Sequence, residues 1–393
     1  MRFSRSKRQL HYTDHKNVFH GSISKGGVTK SHRFRKAVKG GVDLSGGTVR
    51  DHQNFKRDIA YFIGNKDAQM LLNVIANRRK VCLEFFLEYK CDDKELLAIF
   101  WADETARSNY REFGYAISFD ATFRTNKHAM IFVPFFAIDN HKKSVVVGAA
   151  LIHNESVVDY TWVLNAFVKA HRRQPRFVIT NQCALMKQAI PIAFPESKHR
   201  LCMWHITKKV KSKGWFTWQI SNYLQHRTQF VSEFNKLVWN VHLGPNEFEM
   251  QWNNLINFYG LRGDPWFDEL YEIKESWIPT YYKDYQMSGL MKTTSKSESI
   301  NAFFNVYALF WHDLVVFLHS FDNAIESQGA THRSLELTTT STIPRLVSPC
   351  KLEAHAAEVY TRMIFFEVQK ELRLFGFVDG MDSPTLVKPE CTP

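Results

Sequence analysis

Tyr115-Ala-Ile-Ser-Phe-Asp120, Met130–Ile138 and Val145–Ile152 are three β-rich runs of strand length, parted by turn sequences such as Asp139-Asn140-His141. β-branched and aromatic residues between Asn- and Lys-containing breaks predict a three-stranded meander. Past it the period changes. Tyr160–His171 carries apolar residues at helical intervals, Phe177-Val-Ile-Thr180 is a short buried strand, and Leu185, Ala189 and Ala193 mark a helix over 184–194. His199–Ile206 then reads as a fifth strand. The order β-β-β-α-β-α-β predicts an α/β protein with an RNase H-like mixed sheet and helices on both faces. A ferredoxin-like or generic α/β sheet is the competing reading of the pattern alone.

Working outward, residues 1–50 join Lys, Arg, His, Ser and Gly with few large apolar groups, and read as a basic disordered arm. Residues 51–110 read as a pre-domain: a helix through Ile59, Phe62, Ile63, Leu71 and Leu72, then a small strand pair between Val81 and Trp101. The RNase H-like domain covers 111–330 and carries an all-helical insertion at about 211–290, where Phe230, Phe234, Leu237, Val238 and Val241 fall at helical spacing. Its aromatics Trp215, Trp218, Trp239 and Trp252 suit a core better than a base-stacking platform. Amphipathic helices are expected from Ser299 to Trp311 and through Leu318 and Ile325. The Thr- and Ser-rich stretch Leu337–Ser348 makes 331–352 a linker, followed by a C-terminal helix over 353–377 and a tail over 378–393.

The chain has 393 residues, a net charge of +12 and a hydrophobic fraction of 45%. Roughly +10 of that charge lies in the first fifty residues, so the folded body is near neutral. A polyanion, DNA before a membrane surface, is the expected partner of the arm, through Arg5, Lys7, Arg8, Arg33, Arg35 and Lys36; a merely solvated tail is the plain alternative. Six scattered cysteines without a close CxxC pair argue against a disulfide framework and for a reducing compartment. No apolar run is long enough to span a bilayer and the first ten residues lack a signal's apolar core, so no membrane association is expected.

An RNase H-like nuclease needs three carboxylates in space to hold two divalent cations. Asp120 is placed for the first, because a charge inside an otherwise apolar strand is costly without a task or a partner; a strand-end Asp hydrogen-bonded to a turn is the plain alternative. Further quotations narrow the reading: Phe113-Gly through Asp120-Ala-Thr-Phe-Arg124-Thr-Asn126, Asp159–Trp162, His199-Arg-Leu-Cys-Met-Trp-His205-Ile, Thr293–Asn301 and Ala356–Phe366. Together they resemble the Mutator-like element transposase domain, nearest to the plant family of far-red-impaired-response related sequences, regulators descended from such transposases. The resemblance covers roughly 50–370.

That resemblance implies a second acid after the fourth strand in a Thr-Asp-Gln-Asp context, where this chain has Thr180-Asn181-Gln182-Cys183. It implies the third acid at Glu298, whose spacing from Ser295 equally fits a helix capping box. Asp120, Asn181 and Glu298 are thus a degenerate triad, with Asp120 and Glu298 vestigial metal ligands. Cys202 and His205 match a Cys-x-x-His element; a supporting role beside the site is favoured over zinc binding, since two ligands do not make a zinc site. The first fifty residues contain no Cys, and Cys350 and Cys391 have no CxC partner, so the family's N-terminal zinc module and its C-terminal SWIM-type finger are expected to be missing or truncated. The expectation is a catalytically inactive, nuclear, DNA-associated transcription regulator, tied by the resemblance to light-responsive gene expression and to dimers with family members. No cofactor is expected, although active transposases of the family use magnesium or manganese. The competing class is an active metal-dependent transposase or nuclease in which Glu196 or Asp159 replaces the missing acid.

Overall fold

The computed structural model describes residues 27–38, 48–92, 95–121, 126–212, 224–285 and 313–374. Among these, seven strands form one mixed sheet: β1 (Phe86–Cys91), β2 (Leu96–Ala102), β3 (Ala116–Phe119), β4 (Ile131–Ile138), β5 (Ser144–Ile152), β6 (Phe177–Thr180) and β7 (Lys198–Leu201). The spatial order is β1-β2-β5-β4-β3-β6-β7. β4 is antiparallel to both its neighbours, β3 and β5, whereas β3, β6 and β7 run parallel. This is the RNase H-like arrangement expected from the sequence, widened by the β1–β2 hairpin, which adds to β5 in antiparallel register.

Helices α1 (Gly27–Val38), α2 (Val49–Ile63), α3 (Asp67–Val81) and α4 (Glu104–Phe113) precede the central strands. α5 (Val157–His171) and α6 (Ala184–Ala193) alternate with β5, β6 and β7. Every residue of β4 is buried, because both faces of the sheet are covered. The pleat sends alternate side chains to opposite cores. From β2, Ala98, Phe100 and Ala102 join Phe135, Phe167 and Phe194 beneath α4, α5 and α6. Ile99 and Trp101 go the other way, to Leu71 and Ile75 of α3 and to Phe317 and Phe321. Gly148 in β5 is required by that packing, since a Cβ there would meet the Phe100 ring at 3.0 Å.

After β7 come α7 (Met203–Ser212), α8 (Leu224–Val238), α9 (Pro245–Phe258) and α10 (Pro265–Glu272). Phe230, Phe234, Trp252, Phe267 and Trp277 form their common core, so Trp252 packs inside; Trp239 is partly buried against it, and Trp215 and Trp218 lie outside the described residues. α11 (Leu314–Ser341) crosses the sheet face opposite α5. Asp67 caps it from a distant part of the chain, accepting the backbone N–H groups of Leu314 (2.6 Å) and Val315 (3.1 Å) as well as His128 Nε2 (2.9 Å). α12 (Lys351–Val359) and α13 (Arg362–Leu374) complete the fold.

Four expectations need correction. The basic arm is not wholly without structure: residues 27–38 form α1, whose His32 is buried edge-on against His52 of α2. The linker at 331–352 is helical as far as Ser341. Its Thr and Ser hydroxyls satisfy themselves on carbonyls one turn back, Thr338 on Ser334 (2.9 Å) and Ser341 on Leu337 (2.6 Å), so they do not break a helix already docked through Phe317 and Phe321. The segment after it is held by buried Glu353, which accepts the N–H groups of Val347 and Ser348 at 2.9 Å each; the expected single helix over 353–377 is two, α12 and α13. Finally, the fifth strand stops at Leu201, and Met203 begins a helix. The helix expected over 299–311 lies outside the described residues.

Candidate functional site

β3 and β6 are parallel with Ser118 opposite Ile179, so their first residues beyond the carboxyl ends, Asp120 and Asn181, come side by side. β7 pairs Leu201 with Thr180, and the Cys202 N–H donates to the Thr180 carbonyl at 2.7 Å. Because the chain turns helical at Met203, His205 stands in the first turn of α7 and its Nε2 lies 3.7 Å from Asp120 Oδ2. Had the strand run on, Cys202 and His205 would have faced opposite sides of the sheet. Three adjacent strand ends thus meet at one point, the usual position of a site in parallel sheets.

Asn181 is used at both ends of its amide. Its Oδ1 accepts the Cys183 N–H at 2.9 Å, which fixes the amide's orientation, and its Nδ2 donates to Asp120 Oδ1 at 2.6 Å. That Asp120 Oδ1 also accepts the Ala121 N–H at 2.8 Å. Burial pushes the Asp120 carboxyl up to about 6; the Ala121 N–H opposes the rise and the negative charge of Glu155 adds to it.

Glu155 was not singled out in the sequence. It follows β5, whose carboxyl end lies on the same sheet edge as that of β3 because two antiparallel steps restore direction. The Tyr160 hydroxyl donates to Glu155 Oε1, and burial raises the phenol far above its ordinary range. His199 was quoted in a strand and in the motif ending at His205, without a role of its own. Its Nε2 pairs with the Thr180 hydroxyl at 2.8 Å, and burial pushes the ring down to about 4, so it stands neutral beneath the site.

Neither substitute acid reaches Asp120. Asp159 is engaged in the cap of α5, its backbone N–H donating to Ser156 Oγ (3.0 Å) while its carboxylate accepts that hydroxyl (2.7 Å). Glu196 precedes β7 and therefore lies at the other edge of the sheet, 3.9 Å from Arg176. Glu298, Arg5, Lys7 and Arg8 lie outside the described residues; Arg33 and Lys36 are exposed on α1, which also carries Arg35. Cys202 is buried at the head of α7.

Among the described residues, the side chains at this edge do not fit a pair of magnesium or manganese ions. Hard cations take oxygen ligands, preferably anionic. At the position of the second acid they meet an N–H donor, and the amide oxygen is already committed to the backbone.

Residues 116–209, which contain β3 to β7 and every side chain of this edge named above, match the MULE transposase domain. FAR1-RELATED SEQUENCE 5 of Arabidopsis thaliana is 30% identical over 335 residues, which are 85% of this chain and 42% of that protein. FAR-RED IMPAIRED RESPONSE 1 of the same plant is 27% identical over 308 residues, covering 78% and 36%. FAR1-RELATED SEQUENCE 4, also from Arabidopsis thaliana, is 26% identical over 335 residues, covering 84% and 44%. The chain therefore spans about two fifths of the length of these relatives. With the domain match falling on the sheet that holds Asp120 and Asn181, and such relatives aligned along most of the chain, this protein is related along most of its length to the FAR1-related sequences.

Proposed function

We propose that the protein is a catalytically inactive descendant of a transposase that acts in the nucleus as a DNA-associated regulator of transcription in light-responsive gene expression. The observation that carries this reading is the 2.6 Å hydrogen bond from Asn181 to Asp120. In a two-ion nuclease site, carboxylates at strand ends repel one another until cations enter between them. Here an amide N–H donor takes the place of a cation at Asp120 Oδ1, and Asp120 is left with one oxygen facing His205. The light-response part of the proposal rests on the name of the relative FAR-RED IMPAIRED RESPONSE 1.

DNA contact is assigned to the basic N-terminal residues, through phosphates and without choice of sequence. The RNase H-like body then serves for docking, including pairing with a second copy or a relative. A second reading, an active metal-dependent transposase, draws on Glu155, a carboxylate whose charge Asp120 feels.

One experiment separates the two: strand cleavage of a labelled duplex by the purified chain in manganese, beside Asp120→Ala. No cleavage by either protein is expected. Cutting that vanishes in Asp120→Ala establishes the enzyme instead. On the same preparation, DNA retention should weaken steeply with salt and disappear when residues 1–50 are removed; retention indifferent to both removes DNA association from the proposal.

A further inference from the structure

At the sheet edge opposite Asp120, the β4–β5 turn meets the distal half of α11. We propose that His141, His332 and Glu336 there form a binding site for a zinc-class divalent ion. One ligand-capable atom from each residue lies within 4.8 Å of the others. His332 and Glu336 are one helical turn apart on α11 and so share a face. His141 comes from the turn, its Nε2 2.8 Å from Glu336 Oε2, and its ring sits 5.1 Å from that of His332.

The surroundings are those of a built metal site. Metal-binding histidines commonly give their other ring nitrogen to a carboxylate, which fixes the tautomer and aims the free nitrogen. His332 Nδ1 pairs with Asp139 Oδ2 at 2.8 Å, leaving Nε2 as the ligand atom. Asp139 is itself buried and immobilised, since its Oδ1 accepts the N–H groups of His141 (2.9 Å) and Lys143 (2.7 Å). His141 meets the cluster through Nε2, the nitrogen beside Glu336. Its side chain is 1% exposed, yet Nδ1 has no hydrogen-bond partner among the described residues.

The donor set selects the ion class. Two nitrogens and one carboxylate oxygen suit zinc, cobalt or nickel, whereas magnesium and calcium require oxygens. Three protein ligands leave a fourth tetrahedral position for water, on the side where the Glu336 side chain is 47% exposed. The same turn is gripped by α13: Lys142 is paired with Glu367, and the Thr361 hydroxyl donates to the Asn140 carbonyl at 2.5 Å. An ion here would therefore fasten the C-terminal helices to the sheet.

The test uses the full chain, loaded with zinc chloride and desalted, with metal content, zinc affinity and thermal unfolding measured for wild type, His332→Ala and Glu336→Gln. Wild type should retain one more zinc per chain than either variant and show a zinc-dependent rise in Tm that both lack. Zinc affinity should fall on the order of tenfold or more in Glu336→Gln, which keeps a polar partner for His141 and decides the matter if His332→Ala does not fold. Cobalt loading should give the intense visible bands of a four-coordinate ion, lost in the variants. Equal zinc retention by wild type and Glu336→Gln, or none by wild type, overturns the assignment.

Discussion

Restoring the ancestral acid by Asn181→Asp tests the central physical claim, because it changes one atom at the shortest contact of the site. Asn181 Nδ2 lies 2.6 Å from Asp120 Oδ1. Two charges at that spacing repel by about 6 kcal/mol at an effective dielectric of 20. The pair has a cheaper choice, which is to keep one proton; at about pH 7.5 that costs about 5 kcal/mol relative to an unfolded aspartate. A shared, charge-assisted hydrogen bond returns about 1.5–3 kcal/mol of it. The variant should therefore be less stable than wild type by about 2–4 kcal/mol at pH 7.5 in the absence of divalent ions. Each unit of acidification removes about 1.4 kcal/mol of the deficit, so it should be nearly gone at about pH 5.5. Manganese should act like the lost proton, returning about 1.4 kcal/mol when its concentration is tenfold above its Kd. Urea unfolding at the two pH values, with and without manganese, measures all of this. A variant as stable as wild type at pH 7.5 in chelator would refute the reasoning, since the amide would then be holding nothing.

The isosteric change Asp120→Asn should stabilise the protein, by up to about 3 kcal/mol at neutral pH, because the buried carboxylate is held near 6 against an ordinary 3.8. With the folded value raised, the penalty on wild type is complete above about 6 and vanishes below 3.8, so the gap between the proteins must close across that window; a gap indifferent to pH contradicts the assignment. His199 works with the opposite sign. Its folded value near 4 lies below the ordinary 6.5, so its contribution is intact above 6.5 and fades, by up to about 3 kcal/mol, as pH falls towards 4. An NMR titration in which the His199 ring protonates near 6.5 would show that it is not the neutral, buried partner of Thr180.

The sheet was legible because its strands carry unbroken apolar runs and its order follows from three strands succeeded by alternating units; Ala116–Phe119, Ile131–Ile138 and Ser144–Ile152 lie close to where periodicity puts them. The helical run through Leu337–Ser341 was hidden, since threonine-rich sequence disfavours helix locally and only docking of the apolar half of α11 overrides it. Asp120 was visible as a charge in an apolar strand, and Asn181 only through the resemblance, which implies an acid after the fourth strand. Glu155 was not, because its meaning depends on β5 pointing the same way as β3, which no local pattern states. The cluster of His141, His332 and Glu336 was beyond reach for the same reason: its halves lie 195 positions apart in sequence, and single histidines in a turn and a helix carry no signature.

If the site now lives on one amide facing one carboxylate, the pairing should matter more than which strand supplies which member. The exchange Asp120→Asn with Asn181→Asp examines this. The carboxylate introduced on β6's strand end would still accept the Cys183 N–H, and the amide introduced on β3's strand end would donate to it across the same gap. The exchange is not perfectly symmetrical. Asp120 Oδ1 accepts both the Ala121 N–H and the Asn181 amide, and no single atom of an asparagine can accept from one and donate to the other. The double variant should therefore regain most of the stability lost in Asn181→Asp but remain about 1 kcal/mol short of full recovery, the worth of one backbone hydrogen bond. A double variant as unstable as Asn181→Asp alone would mean that the amide at position 181 matters for the turn into α6, through Cys183, and that the Asp120 contact is incidental. Recovery, by contrast, would mean that the strand ends are held by a fixed proton donor in the place where a nuclease holds its cations, which is why such a scaffold keeps its shape without them.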